Sequence, residues 1–343
     1  MRVRISIDDI ARIAGVSRGT VSRAFNERSD INKKTREKIL KISRKLNYFP
    51  NPSARGLAKG RSECVGIVVP DLKNPFLPEM VSSIEKSAGK YGMSALLSIT
   101  DNNIATQEKI LVKMSSGQVD GLLITPCESP ESIAMLNTMN AKLPIICLKH
   151  FSGLQCSSVM FDDMLGAKLV IEHLVNLGHR KIAFLSPSLP EWSINQRLVA
   201  YNDALKSFDI TYRKHFKLEN SGSGTEIWNE IDRSVFEKPD KNPPTAIFAY
   251  DDIIALHALK AADSRGLKVP RDISIAGFDN ISFSGIAGVP LTTVSVNSER
   301  LGETAMDLLM RILKSEVKTH EVHHIMLKPE LIVRKSTSSP AIR

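Results

Sequence analysis

Residues 6–26, SIDDIARIAGVSRGTVSRAFN, constrain the fold of this chain more than any other stretch, because they encode two short helices joined by a tight turn. Ser6 precedes Asp9 by three positions, the spacing of a capping box that opens a helix. Ile7, Ile10, Ala11 and Ala14 recur at helical spacing and give that helix one buried face. Gly15 ends it, since a left-handed backbone turn is easiest for glycine. Ser17 caps a second helix with Val21, Ala24 and Phe25 on its inner face. Such a pair either serves as an ordinary hairpin in a helical core or lays its second helix in the DNA major groove. Its outward residues Arg18, Ser22, Arg23 and Asn26 are donors suited to bases and phosphates, which favours DNA.

Charge distribution agrees. Residues 1–63 hold 16 Lys/Arg and 6 Asp/Glu, a net of +10, whereas the whole chain is +9. The basicity is therefore concentrated at one end, where it releases counterions from a polyanion and gives salt-dependent affinity. A membrane-binding basic tail would share the charge but not the capped, two-faced helices.

A third helix follows, capped by Asn32, with Thr35, Ile39, Ile42 and Leu46 inward and an end near Asn47. Three helices close a small core over residues 1–49. Residues 50–62 read as a linker in which Asn51-Pro52 starts a short helix through Ala54, Arg55 and Leu57. Gly56 in its middle costs about 1 kcal/mol against alanine, so this helix should form only when supported.

From Cys64 the pattern becomes strand, loop, helix, repeated. Strands are expected at 64–70, 94–100, 120–126, 143–149, 158–161, 180–187, 245–250 and 273–279. Helices are expected at 76–91, 105–117, 163–177, 195–208 and 252–265. Short apolar runs alternating with helices indicate doubly wound parallel sheets, here in two similar lobes. The expected fold is a small all-α helix-turn-helix head plus an α/β two-lobed sensor domain over 63–343. The first lobe takes about 63–160 with 297–320, and the second about 161–290 with 322–335.

Ligands of such sheets bind beyond the carboxyl ends of the strands. Those ends carry Asp71, Asn74, Phe76, Thr125, Cys127, Lys149, His150, Asp251 and Asp279. Facing lobes would enclose a polar cleft with aromatic walls, suited to a small hydroxylated ligand, although any one of these residues can equally be a helix cap. No nucleophile elbow, P-loop or dinucleotide fingerprint occurs. His320, Glu321, His323 and His324 are out of register for a zinc motif and lie in an expected β segment (322–333), where neighbours face opposite ways. No cofactor, metal or catalytic residue is expected. The four cysteines, Cys64, Cys127, Cys147 and Cys156, form no C-x-x-C pair and read as free thiols. The apolar runs are too short to span a bilayer, and the N-terminus lacks a signal-peptide core, so a cytoplasmic protein without a membrane partner is expected.

The order of motifs resembles the lac-repressor (LacI/GalR) family of bacterial transcription regulators. The matching segments include IDDIARIAGVSRGTVSRAFN, TREKILKISRKLNYFPNPSARGLAKG, VGIVVPDLKNPF, VDGLLITP, GAKLVIEHLVNLGHRKIAFLS, IAGFDNISFS, LTTVSVNSERLGETAMDLL and KPELIVRKST. The resemblance implies a homodimer on a near-palindromic operator, controlled by a small effector held between the lobes. It implies base reading by Arg18, Gly19 and Arg23, and backbone contacts from Ser17, Thr20, Ser22 and Asn26. Leu57 matches a minor-groove wedge, with Ala54 and Arg55 beside it. Phe76, Cys127, His150, Asp162, Arg197, Asp251 and Asp279 match positions lining the effector cleft, and Trp192 is placed in the loop before Arg197. Ala200, Asp251 and Leu77-Pro78 depart from the usual pattern. The expected effector is a carbohydrate or similar polyhydroxylated molecule held by Asp279, Arg197 and one or both of Asp251 and Asp162. A purine stacked on Phe76 is the alternative, and Asp251 keeps an amine open. Rival readings are a DNA-binding architectural protein with a dead cleft, an enzyme fused to a DNA-binding head, and a solute-binding protein.

Overall fold

The structure is a computed structural model that describes residues 5–25, 31–48, 60–219, 224–237, 242–315 and 321–341. The chain divides into two compact units, Met1–Glu63 and Cys64–Arg343.

The first unit holds α1 (Ile7–Ala14), α2 (Arg18–Phe25) and α3 (Lys33–Lys45). The capping box forms as its spacing predicts: the Asp9 backbone N–H donates to Ser6 Oγ, and the Ser6 N–H donates to Asp9 Oδ2 at 3.0 Å. Such a cap stabilises a helix by about 1 kcal/mol. Gly15 adopts the left-handed conformation (φ 67°), and Asn32 caps α3 through the Lys34 N–H. Ile10, Ala11, Ala14, Val21, Ala24 and Ile39 form the buried core, with Phe25 and Tyr48 in ring contact at its rim. Asn47 has φ 50°, so the third helix ends where expected. The proposed linker helix falls on residues 51–59 and lies outside the described residues.

The second unit opens with β1 (Cys64–Val69), α4 (Phe76–Lys90), β2 (Ser94–Ile99), α5 (Ile104–Ser115) and β3 (Gly121–Ile124). It continues with α6 (Pro130–Asn140), β4 (Ile145–Cys147), β5 (Ser157–Phe161), α7 (Asp163–Asn176), β6 (Ile182–Pro187) and α8 (Trp192–Ser207). β7 (Lys214–Leu218), α9 (Gly224–Ile231), β8 (Ala246–Ala249), α10 (Asp252–Ser264), β9 (Ser274–Asp279) and β10 (Thr292–Ser295) follow. It closes with α11 (Ser298–Leu313), β11 (His324–Leu327) and β12 (Glu330–Ile332). Two six-stranded sheets result, ordered β11-β5-β4-β3-β1-β2 and β12-β10-β9-β8-β6-β7. Every pairing is parallel except β10 with β12, where Thr293 faces Ile332. Helices cover both faces of each sheet, which is why the central strands read as unbroken apolar runs. β1, β3, β6 and β8 are buried almost throughout.

One expected boundary is corrected. Segment 322–335 does not belong wholly to the second lobe. β11 pairs with β5 in the first sheet and β12 with β10 in the second. Pro329, which has no N–H for a ladder, separates the two strands at the crossing. The chain thus passes between lobes at 161–163, 295–298 and 327–330. Close approaches hold helices onto these lobes: a Cβ on Gly302 of α11 would meet Ser83 Oγ of α4 at 2.5 Å, and one on Gly166 of α7 would meet Phe278 at 2.6 Å.

Candidate DNA-reading helix and interlobe cleft

Burial sorts α2 cleanly. Val21 and Ala24 are buried, while Ser17, Arg18, Gly19 and Arg23 are exposed and Thr20 and Ser22 are half-exposed. Ser17 Oγ accepts from the Thr20 N–H at 3.1 Å and caps the helix. Arg18 meets the exposed Asp8 carboxylate at 3.9 Å, and its side chain is 71% exposed. Gly19 has no heavy atom closer than 3.7 Å to where a Cβ would stand, so its bareness keeps the helix surface low rather than relieving a clash. Exposed Lys33 and Lys34 begin α3. Asn26, Ala54, Arg55 and Leu57 lie outside the described residues.

In the second unit the carboxyl ends of the two sheets meet. Asn74, after β1, places Nδ2 3.5 Å from Asp279 Oδ2, after β9. Phe76 packs into the cores of both lobes and meets Phe161 edge-on at 6.5 Å. Arg197 lies at the base of the cleft, only 7% exposed. Its Nε and Nη2 both reach Asp163 Oδ1 at 2.7 Å, Nη1 donates to the Tyr250 carbonyl, and Nη2 stands 3.9 Å from Asp279 Oδ1. Its Cζ lies over the rings of Phe278 and Tyr250, 3.5 and 4.5 Å from their centroids. Burial opposes its charge, but Asp163, Tyr250 and Asp279 together hold the guanidinium pKa above its ordinary value.

The carboxylates beside it are shifted upward. Burial raises Asp279 well above the usual range against the pull of Arg197, with Asp251 and Asp252 adding repulsion. Burial likewise raises Asp251, which caps α10 through the Ile254 N–H at 2.7 Å. Asp252 is fully buried and pushed up to about 6 by burial. It accepts from Thr293 Oγ1, Ser284 Oγ and the Ile281 N–H, the last at 3.0 Å. Those bonds pin the turn after β9, where Asp279 (φ 105°) and Asn280 (φ 53°) occupy left-handed backbone. Side chains tolerate such angles only when the surroundings over-determine them. Asp252 is therefore the anchor that aims Asp279.

A second set of contacts lies farther out, and two of them, Trp192 to Glu128 and Lys149 to Glu191, cross the cleft. The Trp192 N–H, at the start of α8, donates to Glu128 Oε2 at 2.6 Å. Lys149 Nζ stands between Glu128 Oε1 (3.5 Å) and Glu191 Oε2 (3.7 Å). Tyr250 Oη bonds to Ser193 Oγ at 2.8 Å and donates to Glu191 at 3.3 Å. Beside this latch lies a cavity of about 790 Å³ walled by both lobes, including Glu128, Phe151, Glu191, Trp192, Leu198 and Lys217.

The cleft residues expected from sequence thus fall into groups. Asp279, Arg197, Asp251 and Phe76 meet at the base, and Trp192 walls the outer cavity as the first residue of α8. Asp162 caps α7 through the Leu165 N–H at 2.8 Å, and its neighbour Asp163 is the partner of Arg197. Cys127 is buried, with its N–H bound to Gln107 Oε1. The His150 ring meets His324 of edge strand β11 at 4.5 Å, so Lys149 rather than His150 bridges the lobes. Asp163, Tyr250, Glu128 and Glu191 were not singled out from sequence. Lys149 and Asn74 were, as residues at the carboxyl ends of strands. Among the described residues no group of three or more His, Cys, Asp or Glu is arranged for a metal, and no helix is long and apolar enough to cross a membrane. All four cysteines are free thiols, with Cys127, Cys147 and Cys156 buried.

Comparison with known proteins agrees with both units. Residues 6–51 match the bacterial regulatory proteins of the lacI family, and residues 171–337 match a periplasmic binding protein-like domain. The HTH-type transcriptional regulator DegA of Bacillus subtilis is 32% identical, over 98% of this chain and 99% of that protein. The HTH-type transcriptional repressor PurR of Photobacterium profundum is 30% identical, over 96% of this chain and 98% of that protein. The crystal structure of the lac repressor dimer bound to operator and the anti-inducer ONPF superposes with a TM-score of 0.87 at 28% identity, over 97% of this chain and 99% of that one. With a helix-turn-helix unit, a two-lobed parallel-sheet unit and relatives of this identity along nearly its whole length, the chain belongs to the LacI family: it is a DNA-binding transcription regulator with an effector-binding domain.

Proposed function

We propose that the chain is a cytoplasmic homodimeric repressor that reads a near-palindromic operator through α2 and releases or tightens it when a small polyhydroxylated molecule occupies the interlobe cleft. The observation that carries the reading is the meeting of both sheets' carboxyl ends around Asp279, Arg197 and Asp251, bridged directly by Asn74, Glu128 and Lys149. Carboxylates there accept from hydroxyls, while Phe76 and Trp192 offer faces to a sugar ring. Each lobe also exposes apolar groups suited to a partner copy. Edge strand β2 shows Leu96, Leu97 and Ile99 at 37–39% exposure, and the segment after β9 shows Phe283 at 52% and Ile286 at 78%. Exposed edge strands of this kind invite pairing or need a cover. A nucleobase is the second reading, supported by the aromatic pair Phe76–Phe161 and by kinship to repressors named PurR.

Selection of binding sites from randomised duplexes, repeated with Arg18→Ala and with Lys33→Ala, tests the DNA half. A base-reading arginine should lose about 1–3 kcal/mol and relax preference at one position per half-site. Loss of a phosphate-facing lysine should weaken all sequences alike and flatten the salt slope. Full base preference in Arg18→Ala would remove α2 from the reading role.

A further inference from the structure

We propose that the effector held in this cleft carries a protonated amine, so that a polyhydroxylated ligand there is an amino sugar rather than a neutral, acetylated or phosphorylated one. The proposal rests on the polyhydroxylated reading above and adds the ligand's charge. Its ground is the imbalance of the contact network that joins the lobes. Five carboxylates, Asp163, Asp251, Asp279, Glu128 and Glu191, face two cations, Arg197 and Lys149. On the outer wall Lys217 is the cation of the lining and His215 is occupied by Ser186 at 2.8 Å.

Both cations at the base and latch are already engaged by carboxylates of the cleft. Arg197 directs Nε and Nη2 to Asp163 and Nη1 to the Tyr250 carbonyl, with the rings of Phe278 and Tyr250 within 4.5 Å of Cζ, which leaves one N–H on each of Nη1 and Nη2, and Nη2 already stands 3.9 Å from Asp279. Lys149 is held between two glutamates. Acceptors, in contrast, are under-used. The Asp279 side chain is only 9% exposed, yet among the described residues it meets Asn74 Nδ2 at 3.5 Å and Arg197 Nη2 at 3.9 Å, both at or beyond the edge of hydrogen bonding. Glu128 Oε1 is buried without a hydrogen bond, meets the Lys149 ammonium at 3.5 Å, and belongs to a residue that borders the 790 Å³ cavity. Desolvated carboxylates in excess favour a ligand that brings positive charge and several donors, and an ammonium brings three. A phosphate or carboxylate would bring further repulsion to an Asp279 carboxyl that burial, and after it Asp251 and Asp252, already lift. Lys149 shows the arrangement such a ligand amine would find, one nitrogen shared by carboxylates from opposite lobes.

The test uses the full chain and matched ligand sets of gluco, galacto and manno configuration. Each set comprises the hexose, the 2-amino sugar, its N-acetyl derivative and the 6-phosphate, ranked by thermal shift and then titrated by calorimetry, with adenine and hypoxanthine as nucleobase probes. In one configuration the amino sugar should bind about tenfold or more tighter than the hexose, since a charge-assisted pair adds to the hydroxyl contacts. N-acetylation should erase that advantage. Glu191→Gln and Asp279→Asn, made separately so that a folding defect in one leaves the other informative, should bring the amine-to-hexose ratio near one. A hexose or its phosphate binding as tightly as the amine overturns the charge assignment and leaves the polyhydroxylated reading standing. A response to a nucleobase with none to any sugar, or to no member of the panel, overturns that reading as well.

Discussion

Replacing Asp163 by alanine should destabilise the effector-binding unit by about 3 kcal/mol, and the figure follows from what surrounds Arg197. The arginine is 7% exposed and takes two contacts of 2.7 Å from one Asp163 oxygen. Removing one partner of a buried pair typically costs about 3–5 kcal/mol, because the remaining charge stays desolvated. Asp279 lowers that figure toward its lower end. It already stands 3.9 Å from Nη2, and as the remaining counterion it would ionise more readily. The Tyr250 carbonyl and the rings of Phe278 and Tyr250 continue to hold the guanidinium in place.

The unit spans Cys64–Arg343, for which the entropy of unfolding at the midpoint is about 0.6 kcal/mol/K, so the expected loss in Tm is about 5 °C. Urea titration with fluorescence and calorimetric melting would measure it. A thermodynamic cycle with Arg197→Met separates the pair from its parts. The double variant should be less destabilised than the sum of the two single changes, by about 1–3 kcal/mol. A Tm within 1 °C of wild type for Asp163→Ala, or strict additivity in the cycle, would refute the assignment of Asp163 as the counterion.

Two further outcomes are expected. Gly302→Ala should cost about 1–2 kcal/mol in urea unfolding despite alanine's better helix propensity, because its Cβ would meet Ser83 Oγ at 2.5 Å and the Ile84 backbone nitrogen at 2.9 Å; a gain in stability would mean that α4 and α11 separate freely. Asp252, raised from 3.8 to about 6, keeps in the folded state a proton that the unfolded chain loses, so it should make stability fall as pH rises from about 4 to about 6; Asp252→Asn should remove about 3 kcal/mol of that fall, measured as the pH dependence of the wild-type-minus-variant difference, and an unchanged difference would show that the carboxyl is ionised throughout.

Much of this arrangement was legible in the chain because its signals are local. Ser6, Gly15, Ser17 and Asn32 mark helix ends through bonds to residues two to four positions away, and all four do so. The buried strands announce themselves as apolar runs because both faces are covered. β7, KHFKL, carries two lysines and a histidine on a sheet edge, so no apolar run reveals it. The site was legible only as a set of strand ends. Which of two adjacent residues turns inward depends on long-range packing, as when Asp162 caps its helix while Asp163 meets Arg197, 34 positions away. Likewise His150 and Lys149 are equivalent in sequence, and the His324 ring on a strand 174 positions later draws one of them to the edge.

The contacts that cross the cleft also bear on how a ligand can act. Asn74 to Asp279 at 3.5 Å, the Ser282 N–H to Glu79 at 3.4 Å and the Lys149–Glu191 ion pair at 3.7 Å are long, and the Trp192–Glu128 bond at 2.6 Å is the one short direct link among them. Contacts of this kind contribute about 0.5–1.5 kcal/mol each, so the observed relation of the lobes is held by only a few kcal/mol. Covalent continuity, by contrast, is supplied by three crossings that no rearrangement removes. A ligand that replaced Lys149 between the glutamates while engaging Asp279 would therefore compete with forces of its own size. Reversing a two-state balance from 1:99 to 99:1 requires about 5.5 kcal/mol of differential affinity, within reach of two charge-assisted contacts made in one arrangement and broken in the other. Tight binding alone would not suffice. The ligand must touch both lobes, and Glu128 with Glu191, on opposite walls of one cavity, are where it can do so.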